Sequence, residues 1–223
     1  MVESLLLLVL FIAALDWIAI AKAWRRLEYV AKPGVMVALL AWMWAQEGLA
    51  GMQAGLGWFF LGLTFSLAGD VFLLLPRERF ISGLGAFLLG HLAYLVGFNQ
   101  TLPPVNVASL ILLVLVGGVA LQLYRRISAG LERKKQSNMK TPVLMYSVVI
   151  SLMLVSALTT LVRQDWQAAP ALLVSAGALL FFLSDSLLAW NRFVTSLPHG
   201  QLVVIICYHL GQVGIVLGSA MHF

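Results

Sequence analysis

Between residues 5 and 220 this sequence is a succession of apolar stretches, each about as long as a bilayer is thick, separated by short breaks that hold almost all of its charge. A bilayer core of about 30 Å takes roughly 20 apolar residues per helix. Lipid offers no partner to an unpaired backbone amide, so each stretch has to be helical. With 61% hydrophobic and 10% charged residues, a soluble domain of 223 residues has too little polar surface to cover itself. The expectation is an all-α, polytopic integral membrane protein, one transmembrane domain over residues 1–223. The single Cys207 excludes an internal disulfide.

Eight stretches are read: 5–21, 34–45 (extending to near 31 and 49), 55–75, 80–98, 105–124, 142–162, 169–190 and 202–220. The charges test that count, because cytoplasmic loops collect Lys and Arg. Lys22, Arg25, Arg26 and Lys32 follow the first stretch; Arg77 and Arg79 follow the third. Six more, from Arg125 to Lys140, follow the fifth, and Arg192 follows the seventh. Only Arg163 stands in a break of the other parity. The alternation predicts eight helices with both termini outside the cytoplasm, in a bacterial inner (plasma) membrane. Ala21-Lys22-Ala23 has the look of a cleavage site, but Glu3 precedes the first apolar run and Asp16 interrupts it, so a retained helix is expected. The net charge of +5 belongs to loops facing anionic headgroups, and no nucleic-acid module is present in the pattern. Residues 128–139 are the one stretch expected to be flexible.

Titratable groups inside the apolar runs are the functional signal, since each costs a few kcal/mol in hydrocarbon unless it faces a partner or a wet cavity. Asp16, Asp70 and Asp185 each lie about five residues before the inner end of a stretch running the same way. At 1.5 Å per residue they share one depth, which points to one wet pocket near the cytoplasmic face. His91 and Tyr94, three residues apart, share a face of the fourth helix, as Tyr208 and Gln212 do on the eighth. Lys32, with Pro33, is expected to open the second helix at the same level, within reach of a carboxylate or a lipid phosphate.

Gly69-Asp70-x-x-Leu73, then Arg79-Phe80 and His91, is echoed 115 residues later by Ser184-Asp185-x-x-Leu188, then Arg192-Phe193 and Tyr208-His209. This is the pattern of two parallel repeats, about 1–100 and 105–223. Structural readings stand beside the functional ones. Asp16 is near enough to the interface to snorkel toward Lys22 or Arg25, Asp70 and Asp185 could tie helices together, and His91 could be a helix tie. His199 and His222 are expected in solvent. Gly211, Gly214 and Gly218 read as close helix packing, and Trp17, Trp24, Trp42, Trp44 and Trp58 as an interfacial belt. The spacing of His91, His209, Asp70 and Asp185 selects no metal.

Lys32-Pro33, the run from Ser66 through Gly69-Asp70 to Pro76, and Phe80-x-x-Gly83-x-x-x-Phe87-x-x-x-His91-x-x-Tyr94 form one half of a longer pattern. Pro142-Val143-x-x-Tyr146, Phe182-x-Ser184-Asp185-x-x-Leu188 and Tyr208-x-x-x-Gln212 complete it. In this order they resemble the YhhN family of membrane proteins, which includes lysoplasmalogenases; His209 stands outside the pattern. The resemblance implies hydrolysis of the vinyl ether bond of a lysophospholipid, with no cofactor. An enol ether is cleaved by protonating its β carbon and stabilising the oxocarbenium ion, which needs a carboxylic acid still carrying its proton and an anion, as in glycosidases. Asp70 and Asp185 are expected to form that pair, either one as acid, with His91. Lys32, Ser66, Tyr94, Tyr146, Ser184, Tyr208 and Gln212 are expected to bind substrate, Lys32 and Arg79 or Arg192 at the phosphate, with Asp16 a secondary candidate. The competing reading is a small membrane transporter or lipid-binding protein using the same acids for proton or cation coupling.

Overall fold

The computed structural model describes residues 2–75, 79–103 and 105–223. Pro76, Arg77, Glu78 and the side chain of Glu3, which the sequence reading used, lie outside the described residues. Those residues hold helices and no strand: α1 (Val2–Ala21), α2 (Arg25–Gly51), α3 (Gly57–Leu74), α4 (Phe80–Phe98), α5 (Val107–Arg133), α6 (Lys140–Thr159), α7 (Ala168–Phe193) and α8 (Gly200–His222). Seven helical stretches among them are long and apolar enough to cross a membrane, with Arg25–Leu74 taken as a single 50-residue stretch. Inside it Gly48 (φ 55°) and Gly55 (φ 136°) adopt torsions that L side chains avoid, and a π-helical turn, Met52–Leu56, lies between α2 and α3.

Two helix ends differ most from the apolar runs. The second helix starts at Arg25, so Pro33 sits inside it rather than opening it, and Lys32 is a helical residue. Helix α5 continues to Arg133 and carries Arg125, Arg126 and Arg133 on its last turns. The segment expected to be flexible is therefore helical for half its length, and Ile127, Leu131 and Met139 dock on Phe193. At its start α5 has a reciprocal cap, Ser109 N donating to Asn106 Oδ1 and Asn106 N to Ser109 Oγ.

Small residues set the helix crossings. A Cβ on Gly177 of α7 would lie 2.6 Å from the Ile215 amide of α8, and one on Gly211 would lie 2.9 Å from the Gly177 carbonyl. The two backbones touch there, as the glycines of α8 predicted. In the α3–α4 pair, Gly69 receives the Phe87 ring and Gly62 that of Tyr94. Aromatic rings fill the space between these pairs, Phe59 against Tyr94 and Phe98, and Phe181 against Phe87 and Tyr208. Trp24, Trp44 and Trp58 are exposed, but Trp42 is core and Trp17 turns inward to His209, so the belt is smaller than expected.

At the end of the bundle where α4 stops, Arg163 ties three elements together. It donates to the Phe98 carbonyl (2.8 Å), to Thr101 and to Asp165. That guanidinium holds the Asp165 carboxyl well below the usual carboxylate range. His222, expected in solvent, is half-buried and stacks on Trp166 at 3.7 Å.

Candidate active site

The opposite end of the bundle, where α1, α3 and α7 finish, holds the three acids. Asp70 sits four residues from the end of α3, Asp185 eight from the end of α7, and Asp16 five from the end of α1. All three are therefore inside their helices by roughly 6–12 Å.

Asp70 is 1% exposed and takes partners from two other helices. Lys32 Nζ of α2 lies 3.3 Å from Oδ1, and Tyr208 of α8 donates its hydroxyl to Oδ2 at 2.7 Å. Lys32 reaches it because the helix begins at Arg25: Glu28 and Lys32, four residues apart, then share a face. Glu28 is buried and accepts from Gln201 Nε2 at 3.3 Å.

Asp185 also takes two partners, from different helices. The Tyr146 hydroxyl of α6 donates to Oδ2 in a short bond, and His91 Nε2 of α4 lies 3.2 Å from the same oxygen and 2.8 Å from the Tyr146 hydroxyl. His91 is fully buried and edge-on to Phe181 at 4.6 Å, so its orientation is fixed by packing as well as hydrogen bonding. The Asp185 side chain is 12% exposed, and that exposed part faces cavities.

Two cavities meet at Asp185. One, of about 860 Å³, is polar and rimmed by Arg25, Glu28, Lys32, Arg192 and Gln201, with Asp70, Tyr208 and Ser184 in its wall. The other is lined by Ile127, Val143, Ile150, Phe182 and other apolar side chains, with Tyr146, Ser147, Asp185 and Ser186 as its polar marks. Leu73, Phe80, Phe87, Asp185 and Leu188 line both. The arrangement suits an amphiphile whose polar end meets cations while its apolar end runs the other way, with a carboxyl at the join. Arg192, on the rim, lies 4.0 Å above the Phe80 ring that the cavities share.

Asp70, Asp185, Lys32, Tyr146, Ser184 and Tyr208 thus come together, with His91 one bond behind Asp185. Ser66, Tyr94 and Gln212 do not line either cavity. Tyr94 donates to Gln212 Oε1 at 2.6 Å inside the core, and Ser66 to the Gly62 carbonyl at 2.9 Å. Asp16 does not snorkel. It is fully buried, its carboxylate has no hydrogen-bond partner among the described residues, and its nearest cation-forming neighbour is His209 at 4.0 Å. His209, whose Nδ1 accepts from Trp17 at 3.2 Å, gave no sequence signal beyond being a histidine in an apolar run. Glu28 was missed because residues 22–32 read as a loop, and Gln201 because the eighth apolar stretch was read from 202 whereas α8 begins at Gly200. No group of three His, Cys, Asp or Glu side chains among the described residues is placed to hold a metal ion.

Residues 27–219 match the model of the YhhN family. Among known proteins the chain is similar to lysoplasmalogenase TMEM86B of Homo sapiens, 32% identical over 157 residues, covering 70% of this chain and 61% of that protein. It is 36% identical over 155 residues to lysoplasmalogenase TMEM86B of Sus scrofa, covering 70% and 60%. A lysoplasmalogenase of Mycobacterium tuberculosis is 27% identical over 172 residues, covering 74% and 60%. The chain thus spans about three fifths of the length of these relatives. No solved structure matches it.

Proposed function

This chain belongs to the YhhN family, and on that footing we propose that it is a membrane-embedded hydrolase cleaving the vinyl ether bond of a lysoplasmalogen to a fatty aldehyde and a glycerophospho-alcohol. The observation that carries the reading is the position of Asp185, at the join of a cation-rimmed cavity and an apolar one, with a second carboxyl, Asp70, in the wall of the first. In a lysoplasmalogen the scissile bond is itself the join between polar glycerol and hydrocarbon. The phosphate would meet Lys32, Arg25 and Arg192, and the alkenyl chain the apolar cavity.

In that pose Asp185 donates its proton to the β carbon of the enol ether. The electron pair of the double bond takes the proton, and the ether oxygen shares the resulting positive charge as an oxocarbenium ion. Asp70, ion-paired with Lys32, supplies negative charge nearby. Water then adds to the α carbon and returns a proton to Asp185, and the hemiacetal breaks into aldehyde and alcohol. His91 and Tyr146 hold one oxygen of Asp185 and leave Oδ1 without a hydrogen-bond partner among the described residues, so they act as positioning residues.

We also read Arg25–Leu74 as two crossings. Its 50 residues would run ~75 Å as one helix, more than twice a bilayer core, and Gly48 and Gly55 break it near its middle. Eight crossings then leave both termini at the end remote from the acids, and the basic connections put the acid end in the cytoplasm of a bacterial inner membrane. The partner pattern favours two parallel repeats. An offset of 115 carries α2 onto α6 and α3 onto α7, and α4 pairs with α8. Asp70 takes Lys32 from α2 and Tyr208 from α8, and Asp185 takes Tyr146 from α6 and His91 from α4.

The test is aldehyde release from a defined lysoplasmalogen by the purified protein in detergent, with and without chelator, beside Asp70→Asn and Asp185→Asn. Release that is lost in both variants and indifferent to chelator is expected. Undiminished release from both folded variants would sink the carboxylate assignment.

A further inference from the structure

The apolar cavity that ends on Asp185 has α5 and α6 as one wall, and a second depression lies along the same pair of helices. This groove, of about 640 Å³, is lined by Leu113, Gly117 and Leu121 of α5 and by Val148, Leu152 and Val155 of α6. On α5 these positions repeat every four residues and are exposed, whereas Leu123 and Ile127 face the cavity. Ala120 and Ser147 border both spaces. The wall between groove and cavity is therefore carried by two of the smallest side chains on either helix.

Apart from Tyr124 at one end, the groove offers no free polar group. Ser147 donates to the Val143 carbonyl at 2.8 Å and Ser151 to the Ser147 carbonyl at 2.6 Å, so both hydroxyls are turned to their own helix. From Leu113 to Tyr124 it spans eleven residues, ~17 Å, close to half the thickness of a bilayer core. That is the depth of one leaflet. Its Tyr124 end adjoins the exposed Arg125 and Arg126, at the same end of the bundle as the acids. The buried residues of α5 lie only there, at Ile127, Gly130 and Leu131; its first two thirds touch the core through the partly buried Val116, Ala120 and Leu123.

We infer that the α5–α6 seam is the lateral entrance to the site, through which a single-chain phospholipid passes from the leaflet with its hydrocarbon chain along the groove and its phosphate beside Arg125 and Arg126. The inference rests on the reading of Asp185 as acting on a lysolipid, and adds the route by which that lipid arrives. A single chain is what could pass between the two small side chains, Ala120 and Ser147, that separate the groove from the cavity.

The probe is a lysophosphatidylethanolamine carrying a diazirine in its chain, photolysed in vesicles with the full-length protein and mapped by peptide. Label is expected on 113–124 and 144–155 and, across the seam, on the α4 and α7 peptides holding Leu84 and Phe182, which line the cavity and not the groove. A Cβ on Gly117 or Gly118 meets nothing within 4 Å, but only Gly117 lines the groove. Gly117→Phe should cut the label beyond the seam severalfold and raise KM for a long-chain substrate in vesicles without lowering kcat; Gly118→Phe should do neither. Equal labelling beyond the seam in the two variants, or label scattered evenly over all lipid-facing helices, would overturn the entrance. Labelling needs no turnover, so the expected pattern without aldehyde release would leave the entrance standing and remove the hydrolase reading.

Discussion

The ion pair between Lys32 and Asp70 lends itself to a double-mutant cycle. The charges are 3.3 Å apart, with Lys32 14% and Asp70 1% exposed. At an effective dielectric of about 20, Coulomb's law gives about 5 kcal/mol of attraction, before the cost of removing both ions from water. Taking away one partner strands the other, at a cost of about 3–5 kcal/mol. Lys32→Met keeps the apolar stem and removes the charge, and Asp70→Asn keeps an acceptor for the Tyr208 hydroxyl. Each single variant should therefore melt lower, by roughly 6–20 °C at about 2–4 °C per kcal/mol for a chain of this size. The double variant strands nothing, so it should lose less than the sum of the two single losses, by a coupling on the order of 2–3 kcal/mol. Intrinsic tryptophan fluorescence during thermal unfolding in detergent reads all four proteins. Additive losses, with coupling under about 0.5 kcal/mol, would mean that the two groups are not an ion pair, and Asp70 would lose its place as the anion of the proposed mechanism.

Tyr146→Phe removes a hydrogen bond to a carboxyl worth about 1.5–3 kcal/mol, so kcat for vinyl ether cleavage should fall by roughly 10- to 150-fold with KM little changed. Gly177→Ala places a methyl against the Ile215 amide, and overpacking of about 1–3 kcal/mol should appear as a lower melting temperature with α7 and α8 loosened to proteolysis. Asp165 is held below the usual carboxylate range, so its contribution to stability is present above about pH 4 and is lost as pH falls through its lower folded value. Asp165→Asn should therefore melt below the wild type at pH 6, with the gap closing on acidification.

The apolar runs and the parity of the basic residues made the helical membrane fold legible, because both follow directly from what lipid tolerates. Helix ends were less legible. Helix α2 begins eight residues before Pro33, on a turn whose Glu28 and Lys32 face a polar cavity, and an amphipathic start of that kind resembles a loop when only apolar length is read. Asp70 and Asp185 stood out because a carboxyl in an apolar run has few inexpensive explanations. Their partners did not: His91 lies 94 residues from Asp185 and Tyr208 lies 138 from Asp70, separations at which no local pattern operates. Asp16 carried the same signal as the other two acids, yet it is sealed against His209 rather than placed in a cavity wall. Charge in an apolar run therefore marks a polar interior without saying whether that interior opens to a ligand.

The depth of the acids follows from the chemistry proposed for them. A proton-transfer site for a lipid has to meet the scissile bond where the lipid naturally holds it, or else move the headgroup into hydrocarbon at a cost of several kcal/mol per unpaired polar group. The vinyl ether sits one glycerol carbon below the polar region. Carboxyls roughly 6–12 Å inside their helix ends would meet it there, with Arg25 and Arg192 in the wall of the same polar cavity. The same depth explains why a water-consuming reaction can run inside a membrane protein: the polar cavity carries charged side chains from its rim to Asp70, and Asp185 borders it. A site at the bilayer midplane would be drier and further from the headgroup, and would suit a transported ion better than a bond at the lipid's own interface.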